Sequence, residues 1–134
     1  MTSYLKKYIV YSMSWEVEFF ADAEGNAPVE QFLLALPLEQ RAKALAIIKL
    51  LEQEGPSLPF PYSSQVRGKL RELRTQQGKD KLRVLYFADA KRVFILLHGI
   101  VKRADKLPES DIRIAEERMR LHKAFGKGIE ITTR

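Results

Sequence analysis

Apolar and polar positions alternate most clearly between Lys69 and Val101, where three runs of strand-forming residues are separated by short polar stretches. The pattern predicts strands at about Lys69–Thr75, Lys81–Ala88 and Arg92–Val101. The segments between them, residues 76–80 and 89–91, have hairpin length, so the three strands are expected to form an antiparallel meander. Val93–Val101 is apolar on both parities and is expected at the centre of the sheet. An earlier strand is predicted at Trp15–Phe20. A helical period follows it. Pro28–Leu36 reads as a short helix with Asn26 or Ala27 at its cap, Pro28 in its first turn and Glu30 placed to favour the helix dipole. Pro37 ends that helix and opens another over Leu38–Glu54, in which Leu38, Ala42, Leu45, Ile48 and Leu51 have the spacing of one buried face. Gly55-Pro56 stops it, and prolines 56, 59 and 61 make a stiff connector as far as Ser64. Pro108 opens a last helix to about Lys123, with Ile112, Ala115 and Met119 on one face and Glu109 and Asp111 in its first turn. The stretch 125–134, with a weak Ile129, Ile131 alternation, is either an irregular tail or an added edge strand.

The expected fold is therefore α+β: an N-terminal strand, a helical hairpin, a three-stranded antiparallel meander and a C-terminal helix, with the helices against one face of the sheet. At 134 residues one domain accounts for the whole chain, with a core of about 15–123 and peripheral extensions at 1–12 and 125–134. Met13 stands just before the first strand as an alternative start. The chain has no Cys, and its two histidines lie 24 positions apart, so neither a disulfide framework nor a metal site is expected, and no cofactor fingerprint is present. Without a membrane span or a secretory signal pattern, the expected home is the cytoplasm.

Charge adds a sharper feature. Residues 66–106 hold 12 Lys and Arg against 4 acids, a net of +8, whereas residues 1–65 carry 5 basic and 8 acidic residues and 107–134 carry 6 and 5. The overall +6 is thus one patch, which favours a phosphate-bearing or acidic partner.

The runs Lys69-Leu70-Arg71-Glu72-Leu73-Arg74, Leu82-Arg83-Val84-Leu85-Tyr86-Phe87 and Leu96 to Pro108, the last containing His98-Gly99-Ile100-Val101-Lys102-Arg103, resemble the RelE/ParE superfamily of toxins from bacterial toxin–antitoxin pairs, in particular its HigB group with phage-derived relatives. The resemblance spans about Trp15 to Lys123 and includes the order of elements. It implies an endoribonuclease that cuts messenger RNA in the ribosomal decoding site, inhibits translation, and is silenced by a helix-turn-helix antitoxin. Position by position, the family's functional arginine in the middle strand matches Arg83, the basic position ending the first meander strand matches Arg74, and the basic pair after the last strand matches Lys102 and Arg103. Two departures stand out. Glu72 occupies a position that is lysine in many relatives, and Lys106-Leu107-Pro108 replaces a segment in which some relatives carry a tyrosine.

RNA cleavage without a metal requires the 2′-hydroxyl to lose its proton, the transition-state charge to be stabilised and the leaving 5′-oxygen to be protonated. Arginine suits the second task because its planar fork binds phosphate and stays charged. Arg83 and Arg74 are the candidate clamps, Lys102 and Arg103 the RNA-positioning or leaving-group contacts, and Glu72 a candidate general base. Lys69, Arg71, Lys81 and Lys106 are candidate RNA contacts, and Tyr62 in the proline connector a candidate for base stacking. Strand alternation puts Arg83 on the side of Leu85 and Phe87, and Arg74 on the side of Glu72. Each reading has a plain counterpart: Glu72 as a salt-bridge partner of Arg71 or Arg74, His98 as a hydrogen-bonded core residue, His122 as helix-edge packing, and Tyr86, Phe87 and Phe94 as core. The rival functions are a basic module that holds RNA or protein without cutting, a gyrase-directed toxin of the same fold, and an inactive phage remnant.

Overall fold

The structure is a computed structural model, and it describes residues 15–90, 92–126 and 129–130. In chain order the elements are β1 (Glu16–Phe19), α1 (Pro28–Ala35), α2 (Leu38–Glu54), a single 3-10 turn (Gly55–Ser57), β2 (Ser63–Arg67), β3 (Leu70–Gln77), β4 (Asp80–Asp89), β5 (Val93–Lys102), α3 (Glu109–Phe125) and β6 (Ile129–Glu130). The strands form one sheet in the order β2-β3-β4-β5-β1-β6. From β2 to β5 each strand pairs antiparallel with the next, β1 lies parallel beside β5, and the two-residue β6 pairs antiparallel with β1 at the edge.

The chain is thus α+β, built on a mixed sheet of five strands with a short sixth at one edge, and not on the helical hairpin and three-stranded meander expected from the sequence. Three physical reasons account for the correction. First, α1 and α2 do not pair as a hairpin: α1 packs on β5 and α2 on β3, so together they carry the chain across one face and β1 ends up parallel to β5. Second, Ser63–Arg67, at the end of the proline connector, supplies the outer partner of β3, with Ser63 opposite Leu73 and Gln65 opposite Arg71. Its composition is too polar to read as a strand, yet an edge strand buries only one face. Third, β5 is apolar on both parities and needs cover on both sides. The helices therefore divide, α1 and α2 on one face and α3 on the other.

The core follows from that division. Leu73, Leu82, Val84, Tyr86, Phe94 and Leu96 face α1 and α2, while Leu70, Leu85, Phe87, Ile95 and Leu97 face α3, which contributes Ala115 with Ile112 and Met119 beside it. Tyr86, Phe87 and Phe94 are all buried. The helix α2 uses only the last part of the stripe the spacing suggested, Ile48 and Leu51, and rotates its earlier positions outward. Leu38 is 77% exposed and Leu45 47%, and the buried set is Gln40, Ala44, Ile47, Ile48 and Leu51. Two apolar stripes of helical spacing compete on this segment, and the one carrying Ala44 lets the helix lie closer to the sheet. Gln40 is tolerated there because its Nε2 donates to Asp80 Oδ2 at 2.8 Å. On the same face α1 comes so close to β5 that a Cβ at Gly99 would meet the Phe32 ring at 2.4 Å. Among the described residues no helix is long and apolar enough to cross a membrane. The expectations for residues 1–12, Met13, Lys91 and Ile131 lie outside the described residues.

Candidate functional site

Alternation along β3, β4 and β5 sends Glu72, Arg74 and Gln76, then Lys81, Arg83 and Leu85, then His98, Ile100 and Lys102 to the α3 side of the sheet. Register sets them against one another. Arg74 stands directly opposite Arg83, Gln76 opposite Lys81, and Lys81 opposite Lys102. The place of Lys102 depends on a bulge: the register shifts between Leu85, which faces His98, and Tyr86, which faces Leu96, leaving Leu97 as an extra residue in β5. Without it Lys81 would face Val101, and Lys102 would point to the opposite side.

The helix α3 covers only part of this face. Over Leu85 and Leu97 it is tied down by Asp111 Oδ1, 2.7 Å from His98 Nε2, by Arg118 Nη1, which donates to Leu97 O at 2.8 Å, and by His122 Nε2, 3.1 Å from Asp89 Oδ2. Arg118 Nη1 also lies 3.2 Å from His98 Nδ1; arginine can only donate, so Nδ1 accepts and Nε2–H donates to Asp111. His98 is half-buried rather than a core residue, and His122 is buried against the edge of the Phe87 ring. Beyond His98 no helix covers the strands, and there the cations gather.

Arg83 is the floor of the group, only 4% exposed. Its Nη1 donates to Thr75 O and Leu82 O, both at 3.0 Å, which pins the side chain flat along the strands. Its Nε lies 3.6 Å from Glu72 Oε1, an ion pair longer than a hydrogen bond, and both atoms are buried without a hydrogen-bond partner. Burial holds the guanidinium below the ordinary arginine range, and Arg74 pushes the same way against the pull of Glu72 and Asp105. Arg74 Nη1 donates to Glu72 Oε2 at 3.0 Å and its Nε to Pro61 O at 3.1 Å, its guanidinium lies over the Phe60 ring, and its backbone N–H donates to Tyr62 O at 2.8 Å. Arg74 therefore fastens the Pro59–Tyr62 loop to β3. Lys102 is held below the ordinary lysine range by burial and then by Arg83 and Lys81. Its Nζ donates to Ala104 O, while Lys81 is paired with Asp105, which that contact holds below the ordinary carboxylate range. Arg103 is exposed and its Nε donates to Asp80 Oδ1 at 3.1 Å.

The strands thus bring together Arg74, Lys81, Arg83 and Lys102 with Glu72, and place Arg103 at the rim. They do not bring in the remaining candidates alike. Arg71 points to the opposite face, where its Nε donates to Ser63 Oγ at 3.1 Å beside the Tyr86 hydroxyl. Lys69 is exposed in the β2–β3 turn, at the far end of β3, and Lys106 is exposed in the loop after β5. Tyr62, 46% exposed, lines an open pocket of about 440 Å³ beside the cations, together with Ile47 and Leu50 of α2 and with Arg74, Gln76 and Arg83. Sequence reasoning missed the contribution of α2 and Gln76 to this pocket, because it depends on how α2 packs along the edge of β3.

Like charges directly opposite across a sheet destabilise it by about 0.2–1 kcal/mol per pair. Arg74–Arg83 and Lys81–Lys102 are two such pairs side by side, offset by Glu72 and Asp105. The arrangement concentrates positive charge on this part of the sheet. Among the described residues no group of three or more His, Cys, Asp or Glu is gathered as a cation site would require.

Residues 31–120 match the family model described as Phage derived protein Gp49-like (DUF891). No curated protein matches the chain.

Proposed function

Because the chain belongs to the phage-derived Gp49-like family, which is associated with toxins of the RelE/ParE-like type, we propose that it is the toxin of a toxin–antitoxin pair and an endoribonuclease that cuts messenger RNA. The observation that carries this reading is the double like-charge pairing Arg74–Arg83 and Lys81–Lys102 on the part of the sheet that α3 leaves open. Phosphates of an RNA backbone offset that repulsion. Double-stranded DNA or an acidic protein would do so too, but a partly buried cluster beside an open pocket suits a single strand whose phosphates can be bent into it.

In this proposal the 2′-oxygen attacks the adjacent phosphorus and the bond to the 5′-oxygen breaks, leaving a 2′,3′-cyclic phosphate and a 5′-hydroxyl. In its deprotonated form, which burial and then Arg83 and Lys81 favour, Lys102 takes the proton of the 2′-hydroxyl. Lys81 opposite it returns one to the 5′-oxygen, so protons balance. Arg74 and Arg83 stabilise the charge that develops on the phosphoryl oxygens. Glu72, in contact with both guanidiniums, orients them; its Oε1 is buried, which makes it better suited to positioning than to meeting a hydroxyl. Arg103 and Lys106 at the rim guide the strand. The site of action is the ribosomal decoding site in the cytoplasm, and the antidote is a helix-turn-helix protein encoded beside the toxin.

Induction of the wild type and of Lys102→Met in bacteria, with the 5′ ends of an abundant transcript mapped, tests the reading. Growth arrest with new ends inside the reading frame for the wild type alone supports it. Intact transcripts with the wild type present and folded contradict cleavage, and intact transcripts with a DNA-damage response point to the gyrase-directed branch instead.

A further inference from the structure

The pocket beside the cationic cluster has features that phosphate binding does not use. It is lined by Ile47, Leu50 and Lys43 of α2, by Tyr62 of the connector, by Arg74 and Gln76 of β3 and by the buried Arg83. The β3 edge changes character here. Up to Leu73 it is paired with β2, and at Arg74 the backbone N–H turns outward to Tyr62 O. Alternation then turns the N–H and C=O of Gln76 outward as well, and among the described residues no strand pairs with β3 on this side beyond Arg74. Apolar side chains, an aromatic ring and one adjacent main-chain donor and acceptor lie next to the proposed backbone-phosphate clamps.

We propose that this pocket is a nucleobase subsite, which takes one base of the bound RNA out of the strand, stacks it on Tyr62 and reads its edge with the Gln76 backbone. The inference rests on the RNA reading above and deepens it from phosphate binding to base recognition. The occupant follows from what surrounds the opening. A phosphate in the Arg74–Arg83 clamp carries its sugar and base within reach of the pocket, the volume of about 440 Å³ leaves ample room for a single ring system, and a π-face is what Tyr62 beside apolar side chains accommodates. Arg74 has a further, indirect role here. By bonding Pro61 O and Tyr62 O it holds the Tyr62 segment at a fixed distance from the β3 edge.

The test is binding of the full-length protein, by fluorescence anisotropy, to labelled oligoribonucleotides of each base and to an abasic strand of the same length. For the wild type, base-bearing strands are expected to bind roughly tenfold tighter than the abasic strand, as one stacked base contributes. The Tyr62→Ala protein should lose that ratio while holding the abasic strand as before, and Tyr62→Phe should restore it; Tyr62 is half exposed, so these changes leave the fold intact. Equal ratios for wild type and Tyr62→Ala would overturn the subsite and leave the phosphate clamp standing. Failure of every strand to bind, the abasic one included, would overturn the RNA reading and the subsite with it.

Discussion

The face of the sheet that α3 packs against has two halves built from the same strands, with the same alternation, and they differ in almost everything else. Under α3 the outward positions are Leu85, Phe87, Ile95 and Leu97, and the polar groups at the border all have partners: His98 with Asp111, Arg118 with Leu97 O, His122 with Asp89. At its outer margin Arg67 holds both Glu109 and Glu116. In the open half the same rows present Arg74, Lys81, Arg83 and Lys102, set cation against cation, and even the buried Glu72–Arg83 pair stops short of a hydrogen bond. One half is arranged for stability and the other departs from it. Like charges set directly against one another across a sheet, where neutral or opposite pairs would be more stable, are the natural candidates for function.

The largest effect that would break this contrast is expected from Leu97→Ala in the covered half, which should lower stability by about 2–5 kcal/mol in urea denaturation, since the side chain is fully buried. A loss below 1 kcal/mol would mean that α3 is not a firm lid. Arg83→Met comes next. It leaves a buried carboxylate facing Arg74 alone and removes the donor from Thr75 O and Leu82 O, so a loss of about 3 kcal/mol is expected, part of it recovered by adding Glu72→Gln. Full additivity of the two changes would show that Glu72 and Arg83 do not interact.

Lys102→Met in the open half should do the opposite of both, raising stability by about 0.2–1 kcal/mol as the repulsion from Lys81 and Arg83 is relieved, while abolishing cleavage. A destabilised variant would place Lys102 among the structural residues. The same lysine has a signature in pH. Its folded affinity for protons is lowered, so between its folded pKa and the ordinary value of 10.5 the unfolded chain binds more protons, and stability contributed at this position rises with pH across that window. The Lys102→Met protein should lack that rise. The smallest effect belongs to Arg67→Ala. Arg67 holds Glu109 and Glu116 below the ordinary carboxylate range, so its contribution is present above that range and fades as pH falls through it; the variant should show a shallower acid limb and unchanged RNA binding.

How much of this was legible depended on which interaction decided each feature. Local signals served well: Pro28 and Pro108 at the helix starts, Gly55 at the end of α2, and a hairpin between β3 and β4, expected over residues 76–80 and found as the tighter turn Gly78-Lys79 that aligns Arg74 with Arg83. Tertiary choices did not show. The segment Leu38–Glu54 carries two stripes of helical spacing, and only contact with the sheet selects the one with Ala44, Ile47, Ile48 and Leu51. The parallel pairing of β1 with β5 joins residues more than 70 positions apart, as in Glu16 and Val93, and no local pattern encodes it. In the site, alternation was enough to put Arg74 beside Glu72 and Arg83 beside Leu85. The pairing of Lys81 with Lys102 was not readable, because it hangs on one extra residue, Leu97, in a run of apolar positions that fits either parity.

The central claim is that the open half of the sheet is an RNA-binding face, and the salt dependence of binding tests it most directly. With a single-stranded oligoribonucleotide, log K should fall with log salt concentration by about 0.7 per phosphate neutralised, hence a slope of about −3 for four cations. Replacing Lys81 and Lys102 together by Met should bring it to about −1.4. A slope near zero, or one that the double replacement leaves unchanged, would contradict the account.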